Sequence, residues 1–187
     1  MYDVAVIGAG PAGASAALFT AKAGKKTIVI DSDKGMTKRA WFENLYGVME
    51  VSGPELVETG IKQFQKFGAE YKTDTVSDIE SVDGGLQLAT EAGESIVAKH
   101  VIIASGIHVD LAEKLGIPTK PGTEPRIKTV LDVDAQGKTN IPGVWAAGTC
   151  TGVSVHAIIT AGDGAKVAIN VISELNGERY VDHDILK

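Results

Sequence analysis

Along the chain, short branched apolar runs alternate with longer stretches whose apolar residues recur at helical spacing. Residues 4–7 are apolar and rich in β-branched side chains, which predicts a buried strand. A helix is expected from the glycine-rich turn that follows to about Ala23, with Gly24 as its stop. Residues 27–30 repeat the strand pattern and end at Asp31. Residues 34–40 are polar and basic and read as a loop. Ser52-Gly53-Pro54-Glu55 then reads as a helix start, with Ser52 or Gly53 as cap and Pro54 in the first turn. Leu56, Ile61, Phe64 and Phe67 follow at roughly helical spacing, and Gly68 ends that helix.

The middle of the chain changes period. A strand is expected over 70–75, then an antiparallel meander over 76–98 with turns at Asp83-Gly84-Gly85 and Ala92-Gly93. A further buried strand spans 100–104. A short helix over 111–115, a proline-rich loop over 118–125 and an extended piece over 127–133 come next. The last strand covers 144–147 and stops at Gly148; a long helix runs from about 155 to 175, with Asn176-Gly177 as its stop. Strands alternating with helices predict an α/β fold with a central parallel sheet, helices on its faces and an attached meander.

Composition narrows the function classes. The chain has 187 residues, 44% hydrophobic and 22% charged, with a net charge of −6 and no dense basic run. Nucleic acid is therefore not an expected partner. No apolar run approaches the roughly 20 residues that span a bilayer. The opening residues lack a signal-peptide pattern, so a cytoplasmic location is expected. Cys150 is the single cysteine, which excludes an internal disulfide and a Cys-x-x-Cys pair. His100, His108 and His183 show no ligand spacing, and no metal is expected.

The chemistry is concentrated at the first turn. Gly8-Ala9-Gly10-Pro11-Ala12-Gly13 fits G-x-G-x-x-G between a strand and a helix. Gly8 permits the tight turn, Gly10 lets backbone approach a pyrophosphate, and Gly13 lets helix and strand pack closely. The helix N-terminus presents amides to phosphate. Asp31, at the end of the second strand, can accept bonds from ribose hydroxyls and disfavours a 2′-phosphate. These features indicate a dinucleotide without separating FAD from NAD.

Four segments carry a resemblance that goes further. They are GAGPAGASAALFTAKAGKKTIVID (8–31), FENLYGVMEVSGPELVETGIKQFQKFGAEYKTDTVSDIE (42–80), AKHVIIASGIH (98–108) and TNIPGVWAAGTCTGVSVHAIITAGDGAKVAINVI (139–172). In order and content the chain resembles the FAD domain of the thioredoxin reductase-like pyridine nucleotide-disulfide oxidoreductases. The resemblance implies a Rossmann-like FAD-binding domain with FAD as cofactor. It implies that Gly8, Ala9, Gly10, Pro11, Ala12 and Gly13 meet the pyrophosphate, and that Asp31 meets the ribose. Asn44, His156 and Ala157 fall where the family meets the flavin ring, and Val76 where backbone meets adenine. Ala104 and Gly106 line the approach to the pyrophosphate, and Gly148 and Thr149 stand in the C-terminal flavin motif.

The departures are as informative. The family inserts an NADPH-binding domain after the strand that here ends in Ala104-Ser105-Gly106; in this chain Leu111–Gly116 follows almost at once. One domain over 1–187 is therefore expected, with 1–107 and 108–187 resembling the halves that flank the missing insertion. The insertion's redox cysteine pair is missing as well. Thr149 stands where the family has an aspartate that bonds a ribityl hydroxyl, a loss of about 1 kcal/mol. The 34–39 loop lacks the family's Gly-Gly-Gln. Asp163 is expected on the solvent side of its helix, Cys150 as a small buried residue, and Trp41 and Phe42 either over the cofactor or in loop or subunit packing. The expected function is that of a flavoprotein oxidoreductase or electron-transfer component with a separate reductase or electron donor, its catalytic residues unassigned, paired as a homodimer. The alternatives are a non-catalytic flavin-binding sensor or interaction module, and a site for NAD instead.

Overall fold

The computed structural model describes residues 1–186. Its elements run β1 (Tyr2–Ile7), α1 (Pro11–Lys22), β2 (Thr27–Asp31), β3 (Trp41–Phe42), β4 (Val51–Ser52), α2 (Gly53–Lys66), β5 (Glu70–Thr73), β6 (Val76–Val82), β7 (Gly85–Thr90), β8 (Ser95–Ile103), α3 (Asp110–Lys114), β9 (Thr119–Pro121), β10 (Thr129–Leu131), β11 (Val144–Ala146) and α4 (Ala157–Asn176). The main sheet is ordered β5-β2-β1-β8-β7-β6, with β11 also on β8.

The long strand β8 explains how one sheet can be parallel and antiparallel at once. Its first residues, Ser95 to Ala98, pair antiparallel with β7. Its last, Val101 to Ile103, pair parallel with β11. Along its other edge it pairs parallel with β1, from Tyr2↔Ala98 to Ile7↔Ile103. Sequence pattern alone separates 95–98 from 100–104, because Lys99 interrupts the run. The continuous ladder with β1 joins the two pieces into one strand.

Both faces of β1 are covered. Val4 and Val6 face a cluster with Ala12, Ala16, Ala17, Trp145, Val167 and Val171, on the α1 and α4 side. Ala5 and Ile7 face Ile28, Ile30, Leu88, Val101, Ile103 and Leu131 on the other. The α1–α4 contact is made by small residues: a side chain at Gly164 would overlap the carbonyl of Ala12. Ser52 caps α2 in a capping box, accepting from the Glu55 amide at 3.4 Å while its own amide donates to Glu55 Oε2 at 3.2 Å. Gly177, in the left-handed conformation, ends α4 as the Asn-Gly pair predicts. The small hairpin β3–β4 and the antiparallel pair β9–β10 lie outside the main sheet.

Candidate cofactor site

The site grows from the carboxyl ends of the parallel strands. β1 ends at Ile7, and the Gly8 amide donates to Ile30 O at 2.8 Å. Gly8 has φ of +104°, and a side chain there would overlap the Ala104 carbonyl, so the 8–13 loop lies flat on the end of β8. Gly10 precedes α1 as its cap, and Pro11 occupies the first helical position. Among the described residues the Ala12 and Gly13 amides donate to no protein acceptor. Those N–H groups sit at the positive end of α1, where no acidic side chain of the first turn competes for them. Across the loop, the Ala9 amide donates to Asp31 Oδ1 at 3.0 Å and the Asp33 amide to Oδ2 at 3.2 Å. Asp31 is only 9% exposed. Each of its oxygens keeps a lone pair, because an ionised carboxylate has about four acceptor sites.

The opposite wall is the turn after β11. Gly148 has φ of +85° and ψ of −156°, a combination essentially confined to glycine. A Cβ at Gly148 would lie 2.6 Å from that of Ala12. The Gly148 amide donates to Asp163 Oδ2 at 2.8 Å, and its carbonyl accepts from the Thr151 hydroxyl at 2.8 Å. Asp163 is thus not a solvent-facing helix residue. Its side chain is 7% exposed and its Oδ1 pairs with Lys166 at 2.6 Å. Close seating of Gly164 on Ala12 turns the neighbouring position inward, onto the turn. Thr149 is buried, and so is Cys150, whose thiol burial pushes up to about 11. That thiol is a packing group at neutral pH.

The positions singled out from sequence divide into two groups. Gly8, Ala9, Gly10, Pro11, Ala12, Gly13, Asp31, Ala104, Gly148 and Thr149 meet along one edge of the sheet, linked by the bonds and close approaches above. Val76 is buried at the start of β6, beside that edge: the Asp74 amide donates to Asp31 O at 3.0 Å. Gly106 lies in the 104–109 connection between β8 and α3. His156 caps α4 and Ala157 is its first, buried residue; Thr160, one turn on, reaches the Gly148 turn. Asn44 stands apart. It is exposed in the loop between β3 and β4, with no hydrogen bond among the described residues. Trp41 is 59% exposed and pairs only with β4.

Two further participants are not signalled by any motif. Thr37, in a 3-10 turn over Met36–Arg39, brings its Oγ1 to 3.6 Å from where a Gly10 Cβ would sit. Asp163 lies fifteen positions beyond the turn it holds. Both are placed by chain crossings that local pattern does not encode.

An adenine dinucleotide suits this donor set. Free helix-end amides answer a pyrophosphate, the glycine at position 10 leaves room for it, and a backbone-held carboxylate answers ribose hydroxyls. The model of the family described as pyridine nucleotide-disulphide oxidoreductase matches residues 2–106 and 38–169.

The chain belongs to this family.

Among curated proteins it is similar to the thioredoxin reductase of Bacillus subtilis, 35% identical over 122 residues, which is 63% of this chain and 37% of the relative. It is also similar to that of Peptoclostridium acidaminophilum, 38% identical over 116 residues, which is 60% of this chain and 36% of the relative. The chain thus spans about a third of the length of these members. The thioredoxin reductase of Gloeobacter violaceus superposes with a TM-score of 0.81 at 19% identity, covering 100% of this chain and 99% of that one. The atypical thioredoxin reductase TRi of Desulfovibrio vulgaris Hildenborough superposes with a TM-score of 0.77 at 22% identity, covering 95% and 99%. At such identities these family neighbours establish the Rossmann-like fold. Among the described residues of this member no helix is long and apolar enough to cross a membrane.

Proposed function

We propose that this chain is an FAD-binding flavoprotein, acting as an oxidoreductase or electron-transfer component that draws electrons from a separate reductase or small donor. The observation that carries the reading is the meeting of the 8–13 loop, Asp31 and the Gly148–Thr149 turn on one sheet edge. FAD, when bound, supplies reversible two-electron chemistry. The residues of the chain hold it. Ala12 and Gly13 donate their free amides to the pyrophosphate, Asp31 accepts from the adenosine ribose, and Thr149 offers a hydroxyl toward the ribityl chain. His156 and Ala157 meet the flavin end, while Asn44, which the resemblance also assigns there, lies in the exposed loop between β3 and β4. Val76, Ala104 and Gly106 border the groove.

Residues 1–187 form one FAD-binding domain in this reading, with 1–107 and 108–187 as its halves. The short 104–109 connection between β8 and α3 supports it, since it leaves no room for an NADPH-binding unit at that point. Homodimer formation in the cytoplasm completes the proposal. Tyr46 and Met49, 94% and 92% exposed in the loop between β3 and β4, supply apolar surface for a protein contact.

The test is the visible spectrum of the purified protein, then titration of apoprotein with FAD and NAD in parallel. Saturable FAD binding with no NAD binding is expected; preference for NAD overturns the reading. Anaerobic additions of NADH and NADPH then ask for a donor. A second reading, a flavin-binding sensor without turnover, is favoured by one observation: the lone cysteine is buried with its thiol kept neutral. A partner that binds only one redox state, with no donor able to bleach the flavin except dithionite, would establish it.

A further inference from the structure

We infer that His156 is a proton acceptor at the α4 end of the groove, held in its Nδ1–H tautomer by Ser154 and Glu124. Its role in turnover rests on the flavin reading above; the tautomer does not.

Glu124 belongs to the segment between β9 and β10, yet it reaches the residues that lead into α4. Its Oε2 accepts from the Ser154 hydroxyl at 3.3 Å and from the Val155 amide at 3.4 Å. Ser154 Oγ in turn lies 2.8 Å from His156 Nδ1. The proton count decides the direction of this chain. An ionised carboxylate can only accept, and a serine hydroxyl has one proton to give. Were Ser154 to donate to the imidazole, two acceptor oxygens would face each other with no proton between them. Ser154 therefore donates to Glu124, and Nδ1–H donates to Ser154. In the neutral ring this leaves the lone pair on Nε2.

The ring is well placed to use it. His156 is exposed, and its carbonyl accepts from the Ile159 and Thr160 amides at 3.0 Å each, so it opens the first turn of α4. Thr160 lies against the Gly148 turn. The His156 backbone thus stands one helical turn before the residue that borders the groove wall. When Nε2 takes a proton from a weakly acidic N–H, O–H or S–H group bound there, that bond breaks and Nε2–H forms, with no electron moved. Glu124 and Ser154 are positioning residues that act through His156.

Two measurements test this. The first is a long-range proton–nitrogen NMR correlation of the imidazoles in nitrogen-labelled apoprotein, with His156→Gln for assignment. Neutral His156 is expected mainly as Nδ1–H, and Ser154→Ala or Glu124→Ala is expected to make Nε2–H the major form. An Nε2–H ring in the unmodified protein, or no change in the variants, overturns the assignment. The second is the number of protons taken up when FAD-loaded protein is photoreduced over a series of pH values on either side of neutrality. His156→Gln is expected to alter that number within this range; an identical profile overturns the acid–base role. If the protein does not bind FAD, the proposed function falls, while the NMR result still decides the tautomer.

Discussion

Asp163 and Gly148 show how single residues set the groove. The Gly148 turn needs a glycine backbone and a carboxylate behind it. Replacing Asp163 by Ala leaves the buried Gly148 amide without its acceptor, at a cost of about 1–3 kcal/mol. Asp163→Ala is therefore expected to lose both thermal stability and FAD affinity, and Asp163→Asn, which keeps an acceptor, to recover most of each. Melting curves and flavin titrations read the two. Cys150 carries a different expectation. Burial keeps its thiol neutral, so a thiol reagent near neutral pH should leave the native protein unlabelled. Denaturant should expose it. Rapid labelling of the folded chain would show that the turn opens.

The contact between α1 and α4 dominates at the level of elements. Glycine and alanine let the two helices approach until the Gly164 position touches Ala12 backbone. Gly164→Leu has no space to occupy and must push the helices apart. Overpacking of this kind typically costs 1–3 kcal/mol, and the Gly148 turn between the helices moves with them. A lowered denaturation midpoint together with weakened FAD binding is expected. The start of α2 is a milder case. Its capping box makes Ser52→Ala a loss of about 1 kcal/mol, with FAD affinity unchanged because the cap lies outside the groove. Sequence signals served well for such elements: Ser52-x-x-Glu55 and Asn176-Gly177 each mark a helix end by local chemistry. They served poorly for β8, whose polar Lys99 looks like a break until β1 pairs across it.

The whole molecule also has a pH response, within β8 where His100 lies. His100 Nδ1 accepts from Trp145 Nε1 at 3.1 Å, which requires an unprotonated Nδ1. Burial lowers the His100 pKa; Glu174 and Asp3 act against that, and Lys138 and Lys99 add to it. A histidine whose folded pKa is depressed contributes stability above its unfolded pKa, about 6.5. That contribution is lost as pH falls through the unfolded value toward the folded one. The stability difference between the protein and His100→Gln should therefore shrink in mildly acid solution. Denaturant unfolding at about pH 7.5 and about pH 5.5, straddling the imidazole range, measures it. A difference that grows on acidification would reverse the sign argued here.

Local chemistry by itself determined the α/β class, the glycine loop with its acid, and most helix ends. Each depends on residues close together in the chain, whose backbone preferences and hydrogen bonds form within a turn or two. Tertiary structure alone decided that β8 is one strand, that Asp163 turns inward and that Thr37 leans over Gly10. It also decided that Glu124 reaches Ser154 across the chain and that Asn44 stays exposed. Those facts depend on which segments pack side by side, and packing is settled by the shape of small residues at crossings such as Ala12 on Gly164. Hydrophobic period records which face a residue prefers. It does not record what it will meet there.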